Sequence, residues 1–224
     1  EVIEGVANAC REVGVALLGG ETAEMPGVYT PGELDLVGTI VGAVERAQII
    51  DGSRVGVGDV VLALPSSGLH TNGFSLARAA LEGQDLGATP EGMERPLGEA
   101  LLAPHRCYLP EVMALRDAGI DLKALAHITG GGLIDNLPRT LGDCDAVIDL
   151  DSWRTPALFR YLCEAGNIER DEAHRAFNMG VGLVLIVDAD DAAHVRFALE
   201  AAGEEVFALG ELVPGTGVVR WSDG

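Results

Sequence analysis

Apolar residues recur at helical spacing in Val2, Val6, Ala9, Cys10 and Val13, so the chain opens on a predicted amphipathic helix. Val15-Ala16-Leu17-Leu18 then reads as a short buried strand, ended by Gly19-Gly20. Leu34 to Val44 alternates loosely and is rich in β-branched residues, the pattern of a second strand. Turn formers crowd Asp51 to Asp59, and a domain boundary is placed near them. Beyond it, helical patterns alternate with apolar strand patterns near 60–64, 124–128, 145–149, 182–187 and 205–212. That alternation predicts an α/β (α+β layered) domain. Gly83 to Gly98, rich in Gly, Pro and acidic residues, reads as a surface loop, and there is no internal repeat.

Two glycine-rich turns sit between a strand pattern and a helix pattern. The first, Ser66-Ser67-Gly68-Leu69-His70-Thr71-Asn72-Gly73, leads into Phe74 to Leu81. The second, His127-Ile128-Thr129-Gly130-Gly131-Gly132, leads into Leu133 to Leu137. Glycine admits a ligand close to the backbone, and a helix start offers unpaired N–H groups to an anion, so the pair points to a phosphorylated ligand. In the first turn Thr71 or Asn72 reads as an N-cap, and Ser75 and Arg78 share a helix face from which Arg78 complements a phosphate. An ordinary capped helix with a surface Arg fits the same residues. In the second, a neutral His127 at a strand end is placed to donate, accept or shuttle a proton, or simply to satisfy loop backbone.

Weaker signals flank these turns. Glu21 and Glu24, in Gly19-Gly20-Glu21-Thr22-Ala23-Glu24-Met25-Pro26-Gly27, are spaced to reach magnesium or to stand in a solvated turn. Phe177-Asn178-Met179-Gly180-Val181-Gly182 precedes a very apolar strand and reads first as a tight turn. His105, His174 and His194 read as surface residues. No Gly-x-Ser-x-Gly elbow is present.

Composition narrows the classes. The 224 residues are 48% hydrophobic with mean hydropathy +0.24, which excludes a disordered tail. A net charge of −20 and a pI near 4.4 argue against a nucleic-acid or anionic-membrane surface. No apolar run reaches the roughly 18 residues of a membrane span. Cys10, Cys107, Cys144 and Cys163 lack metal-site or redox spacing and read as buried, reduced thiols, which fit a cytoplasmic location. Lys123 is the only lysine, so no Walker-type phosphate loop exists here. The chain begins Glu1-Val2-Ile3-Glu4 without Met and in mid-pattern, and reads as a piece of a longer protein.

Taken in order, LLGGETAEMPGVY, VVLALPSSGLHTNGFSLAR, LLAPHRCY, AHITGGGLIDNLPR and FNMGVG make the chain resemble the phosphoribosylformylglycinamidine cyclo-ligase, or aminoimidazole ribonucleotide (AIR) synthetase, family. The resemblance covers nearly the whole chain. It implies a C-terminal domain with a mixed sheet and flanking helices over 51–224, preceded by the tail of an N-terminal ATP-binding and dimerisation domain over 1–50. It implies ATP and magnesium as cofactors, a ribonucleotide substrate, no nucleic-acid or membrane partner, and a homodimer of the intact protein. The implied reaction is ATP-dependent ring closure: ATP phosphorylates the formyl amide oxygen, the amidine nitrogen attacks the activated carbon, and phosphate leaves.

Carried onto matching positions, Glu21 and Thr22 face ATP, with Glu21 as the metal ligand. His70, Thr71, Asn72, Gly73, Ser75 and Arg78 hold the ribose phosphate or adjacent groups. His127, Thr129, Gly130, Gly131 and Gly132 line the reacting end. His127 and His70 are the catalytic candidates, and Asn178 is a weaker contact. The resemblance implies that the piece is inactive alone. Two alternatives stand beside it: another ATP-using enzyme of the same superfamily, and a non-catalytic ribonucleotide-phosphate-binding module.

Overall fold

A computed structural model describes residues 1–30 and 32–222, and they divide into two units, residues 1–49 and 50–224. In the first unit the predicted helix forms as α1 (Val2–Glu12), with Arg11 near its C-terminal dipole, yet none of its residues is buried. The two strands expected next are absent: 15–18 and 34–44 form no ladder. Leu18, Val37, Ile40 and Val41 are each more than 80% exposed. An alternating apolar pattern makes a strand only when a neighbour takes its N–H and C=O groups, and no described segment does so here.

The second unit is built on one mixed sheet with strand order β2-β4-β1-β5-β3-β6, so the layered α/β expectation holds. Its strands are β1 (Val60–Pro65), β2 (Leu122–His127), β3 (Cys144–Ile148), β4 (Val181–Val187), β5 (Phe207–Pro214) and β6 (Val219–Trp221). All pairs are antiparallel except β3 with β6. Period-two alternation explains the layers. Val61 and Ala63 of β1 and Val184 and Ile186 of β4 face one core with Ile128, Leu133 and Leu209. Leu62, Leu64, Leu185 and Val187 face the other, which is closed by Leu115 of α4 (Leu109–Asp117) and by Val195 and Leu199 of α8 (Ala189–Ala201).

A third apolar cluster joins four further helices: α2 (Phe74–Ala80), α3 (Leu97–Leu101), α6 (Ala157–Gly166) and α7 (Arg170–Ala176). Leu97, fully buried there, ends the expected 83–98 surface loop early by starting α3. The remaining helix, α5 (Gly132–Asn136), packs on α7 so closely that a Cβ on Gly132 would overlap the His174 carbonyl oxygen. His174 is therefore buried rather than on the surface. Its Nδ1 lies 2.8 Å from the Arg170 carbonyl oxygen, and burial lowers its pKa. Lys123 lies within β2 and bridges buried Asp59 at 2.5 Å and Asp188 at 3.0 Å. Of the four free cysteines only Cys144 is buried, and Cys107 is exposed, against expectation.

Candidate functional site

Topology brings the two glycine-rich turns together. β1 and β2 both flank β4 and both run antiparallel to it, so their C-terminal ends meet on either side of its first residues. Leu183 pairs with Leu64 on one side and with His127 on the other. The His70 turn leaves β1 there, and the His127 turn leaves β2. The two turns touch: a Cβ on Gly130 would lie 3.4 Å from Asn72 Oδ1. Gly182 makes the space, since a Cβ on it would overlap Tyr108 Oη and press on His70 Cε1.

His70 is 2% exposed. It and Thr71 both adopt left-handed backbone, with φ of 51° and 61°, which is strained for non-glycine residues. The Thr71 hydroxyl and the Asn72 amide each donate to the His70 carbonyl at 2.6 Å, so neither caps α2. The N-cap is Gly73, which bears no side-chain cap, and this corrects the expected Thr71 or Asn72 cap. The helix it opens has only 7 residues. Ser75 and Arg78 stand exposed on it.

A third histidine joins them. His105, in the segment between α3 and α4, stacks on His70 at 4.1 Å between ring centroids, and its Nε2 lies 2.9 Å from His127 Nε2. It was expected to be a surface residue without partners. It is exposed but has both other site histidines as neighbours. The stretch LLAPHRCY held the signal, yet nothing local to it says which residues His105 will meet. Burial first, then the charges of His105, His127 and Arg106, lowers the His70 pKa to about 4. Partial desolvation also lowers the values of His105 and His127, with His127 adding to the effect on His105. All three rings are therefore neutral at neutral pH.

Each turn has its own buried asparagine. Asn178 donates to Gly68 O at 2.8 Å and accepts from Ser66 Oγ and Gly180 N, both at 2.9 Å. Asn136 donates to Gly132 O at 2.8 Å and Gly130 O at 3.2 Å, and accepts from Thr129 Oγ1 at 3.0 Å. Beside the histidines, Tyr108 donates to Pro65 O at 2.7 Å, and burial raises its pKa. Arg106 lies over the Tyr108 ring and is paired with Glu111 and Glu204, so its charge is already balanced. A cavity of about 390 Å³ opens between His105, His127, Tyr108 and Leu183.

Glu21 and Thr22 are exposed residues of the first unit. Among the described residues, the only group of three or more potential metal ligands is His70, His105 and His127, which contains no carboxylate. Magnesium prefers oxygen ligands in octahedral array, so this nitrogen-only group is not a magnesium site.

The fold and the paired turns define a class. The chain belongs to the AIR synthase related protein family, whose C-terminal domain model matches residues 56–222 and whose N-terminal domain model matches 1–44. Its sequence is 48% identical to a phosphoribosylformylglycinamidine cyclo-ligase of Gloeobacter violaceus over 97% of this chain and 65% of that one. It is 50% identical to the protein of the same name from Myxococcus xanthus over 97% of this chain and 64% of that one. The chain thus spans less than two thirds of these relatives' length. In fold it is similar to HypE of E. coli, a hydrogenase maturation protein, with TM-score 0.54, 22% identity, and coverage of 81% of this chain and 51% of that one. The thiamine-monophosphate kinase of Stenotrophomonas maltophilia is similar at TM-score 0.51 and 20% identity, covering 80% of this chain and 54% of that one.

Proposed function

We propose that this chain is the substrate-closing part of a phosphoribosylformylglycinamidine cyclo-ligase, which turns formylglycinamidine ribonucleotide into aminoimidazole ribonucleotide in purine biosynthesis. The observation that carries this reading is the meeting of the His70 and His127 turns beside Gly182, in a chain about half identical to curated cyclo-ligases. ATP is a co-substrate and magnesium its counter-ion. In this reading residues 1–50 are the tail of the ATP-binding and dimerisation domain, and Glu21 and Thr22 face ATP. The intact protein is a cytoplasmic homodimer.

Ring closure needs positioning, exclusion of water and movement of a proton more than a protein nucleophile. His127 is half-exposed, neutral and next to the cavity, so it is the group that takes the amidine proton as the ring closes. His70, locked by its turn, backs the pocket wall and holds His105 in place against it. Thr71, Asn72, Gly73, Ser75 and Arg78 hold the ribose phosphate. Thr129 and Gly130 to Gly132 line the reacting end, and Asn178 supports it by fixing Gly68. The test is binding of formylglycinamidine ribonucleotide to the 224-residue chain, followed by ADP release from a protein extended to the length of its relatives. Binding by the chain, with ADP release only in the extended protein, is expected. No ADP release by a folded extended protein would sink the reading.

A further inference from the structure

From the geometry we propose that His70, His105 and His127 form a binding site for one transition-metal dication of the Zn²⁺, Co²⁺, Ni²⁺ or Cu²⁺ type. The site does not depend on the cyclo-ligase reading; only its effect on proton transfer at His127 rests on that reading. The three histidines place candidate ligand nitrogens within 4.8 Å of one another. Imidazole is the preferred ligand of these ions and a poor one for magnesium. Tetrahedral Zn²⁺ needs nitrogens about 3.3 Å apart, given its bond lengths. His105 and His127 already stand at 2.9 Å. Both are exposed, and His105 sits in a segment without regular structure; binding requires its ring to tilt off His70 and turn a lone pair inward.

A second observation points the same way. Nδ1 of His70 is buried and has no hydrogen-bond partner. Its Nε2 lies 3.0 Å from both the Ser67 N–H and the Ser67 hydroxyl oxygen, and that hydroxyl donates to Pro104 O at 2.6 Å. If Nε2 accepts from the Ser67 N–H, Nδ1 carries the proton and a buried donor is orphaned, which is unfavourable. If Nε2–H instead donates to Ser67 Oγ, the Nδ1 lone pair is bare, and the part-buried Ser67 N–H loses this acceptor. A metal on Nδ1 satisfies the second arrangement. The cavity beside His105 and His127 supplies an entry path and leaves a fourth position for water or an oxyanion. An ion held through the His127 lone pair excludes proton transfer at that nitrogen, so the loaded site is an inhibited one.

The test is titration of the 224-residue chain with Co²⁺, followed by displacement with Zn²⁺. One Co²⁺ per chain is expected, with ligand-field bands and no sulfur-to-metal charge transfer. His105→Gln should weaken binding at least tenfold, while His194→Gln and Cys107→Ser leave it unchanged. His127→Gln, at a second exposed ligand, repeats the reading if His105→Gln loses the circular dichroism of the fold. Absence of stoichiometric binding, binding unchanged in His105→Gln and His127→Gln, or binding lost in Cys107→Ser would each overturn the proposal.

Discussion

The two histidine turns have nearly the same recipe and opposite mechanical characters. Each follows a strand, each combines glycines with at least one hydroxyl residue, and each hangs on a buried asparagine 3% exposed. The His70 turn is over-determined: its histidine is buried, two consecutive residues are left-handed, and Asn178 reaches it from 110 residues away. The His127 turn is held by Asn136, only 4 residues from the carbonyl it clamps, and its histidine stays half in solvent. The difference separates a wall from a working group. A side chain that must move a proton needs access to the cavity, whereas one that shapes the pocket needs none.

The largest effect should come from Gly132→Ala. A Cβ there overlaps the His174 carbonyl oxygen, and the residue has φ of +59°, so α5 cannot seat on α7. A loss of about 4 kcal/mol is expected by urea unfolding. Next comes the acid sensitivity that His70 gives the fold. Its folded pKa lies below its unfolded value, so its contribution is complete above about 6.5 and is lost as pH falls toward about 4. The loss amounts to about 3 kcal/mol at the acid end. Stability measured against pH should lose that slope in His70→Gln and keep most of it in His127→Gln, because burial is the larger cause.

Removing either asparagine tests the clamps. Asn136→Ala and Asn178→Ala should each cost about 2 kcal/mol in chemical denaturation, because each leaves buried carbonyls unmet. Asn178→Ala should in addition raise amide exchange at Gly68 and Gly180, in both segments it joins. The smallest stability effect belongs to His127→Ala, within about 0.5 kcal/mol, although in the extended enzyme it should cut turnover about a hundredfold or more. A His127→Ala enzyme with unchanged turnover would remove this residue from the proton path.

Legibility followed range. The strands β1 and β4 were readable because both faces are covered and the apolar run is nearly continuous. β6 was not, because this 3-residue strand is pinned by polar groups: buried Asp145 accepts from Thr216 N and Val218 N and pairs with Arg220. The 34–44 segment misled by having a strand's pattern without a ladder partner. Thr71 and Asn72 have cap chemistry, but the left-handed turn points both side chains at the His70 carbonyl instead. The motifs containing His70 and His127 were plain in the sequence, and so was the resemblance they carry. Their meeting with His105 was not, since it depends on β1 and β2 sharing β4 as a neighbour.

The most direct measurement is a histidine NMR titration of the 224-residue chain, with the resonances assigned by the single substitutions above. His70 is expected to stay neutral from neutral pH down to about 4, and His105 and His127 to titrate below the usual histidine value. Replacing His127 should shift the His105 curve. Three independent titrations near the ordinary value of about 6.5 would mean that the turns do not meet, and would contradict the site.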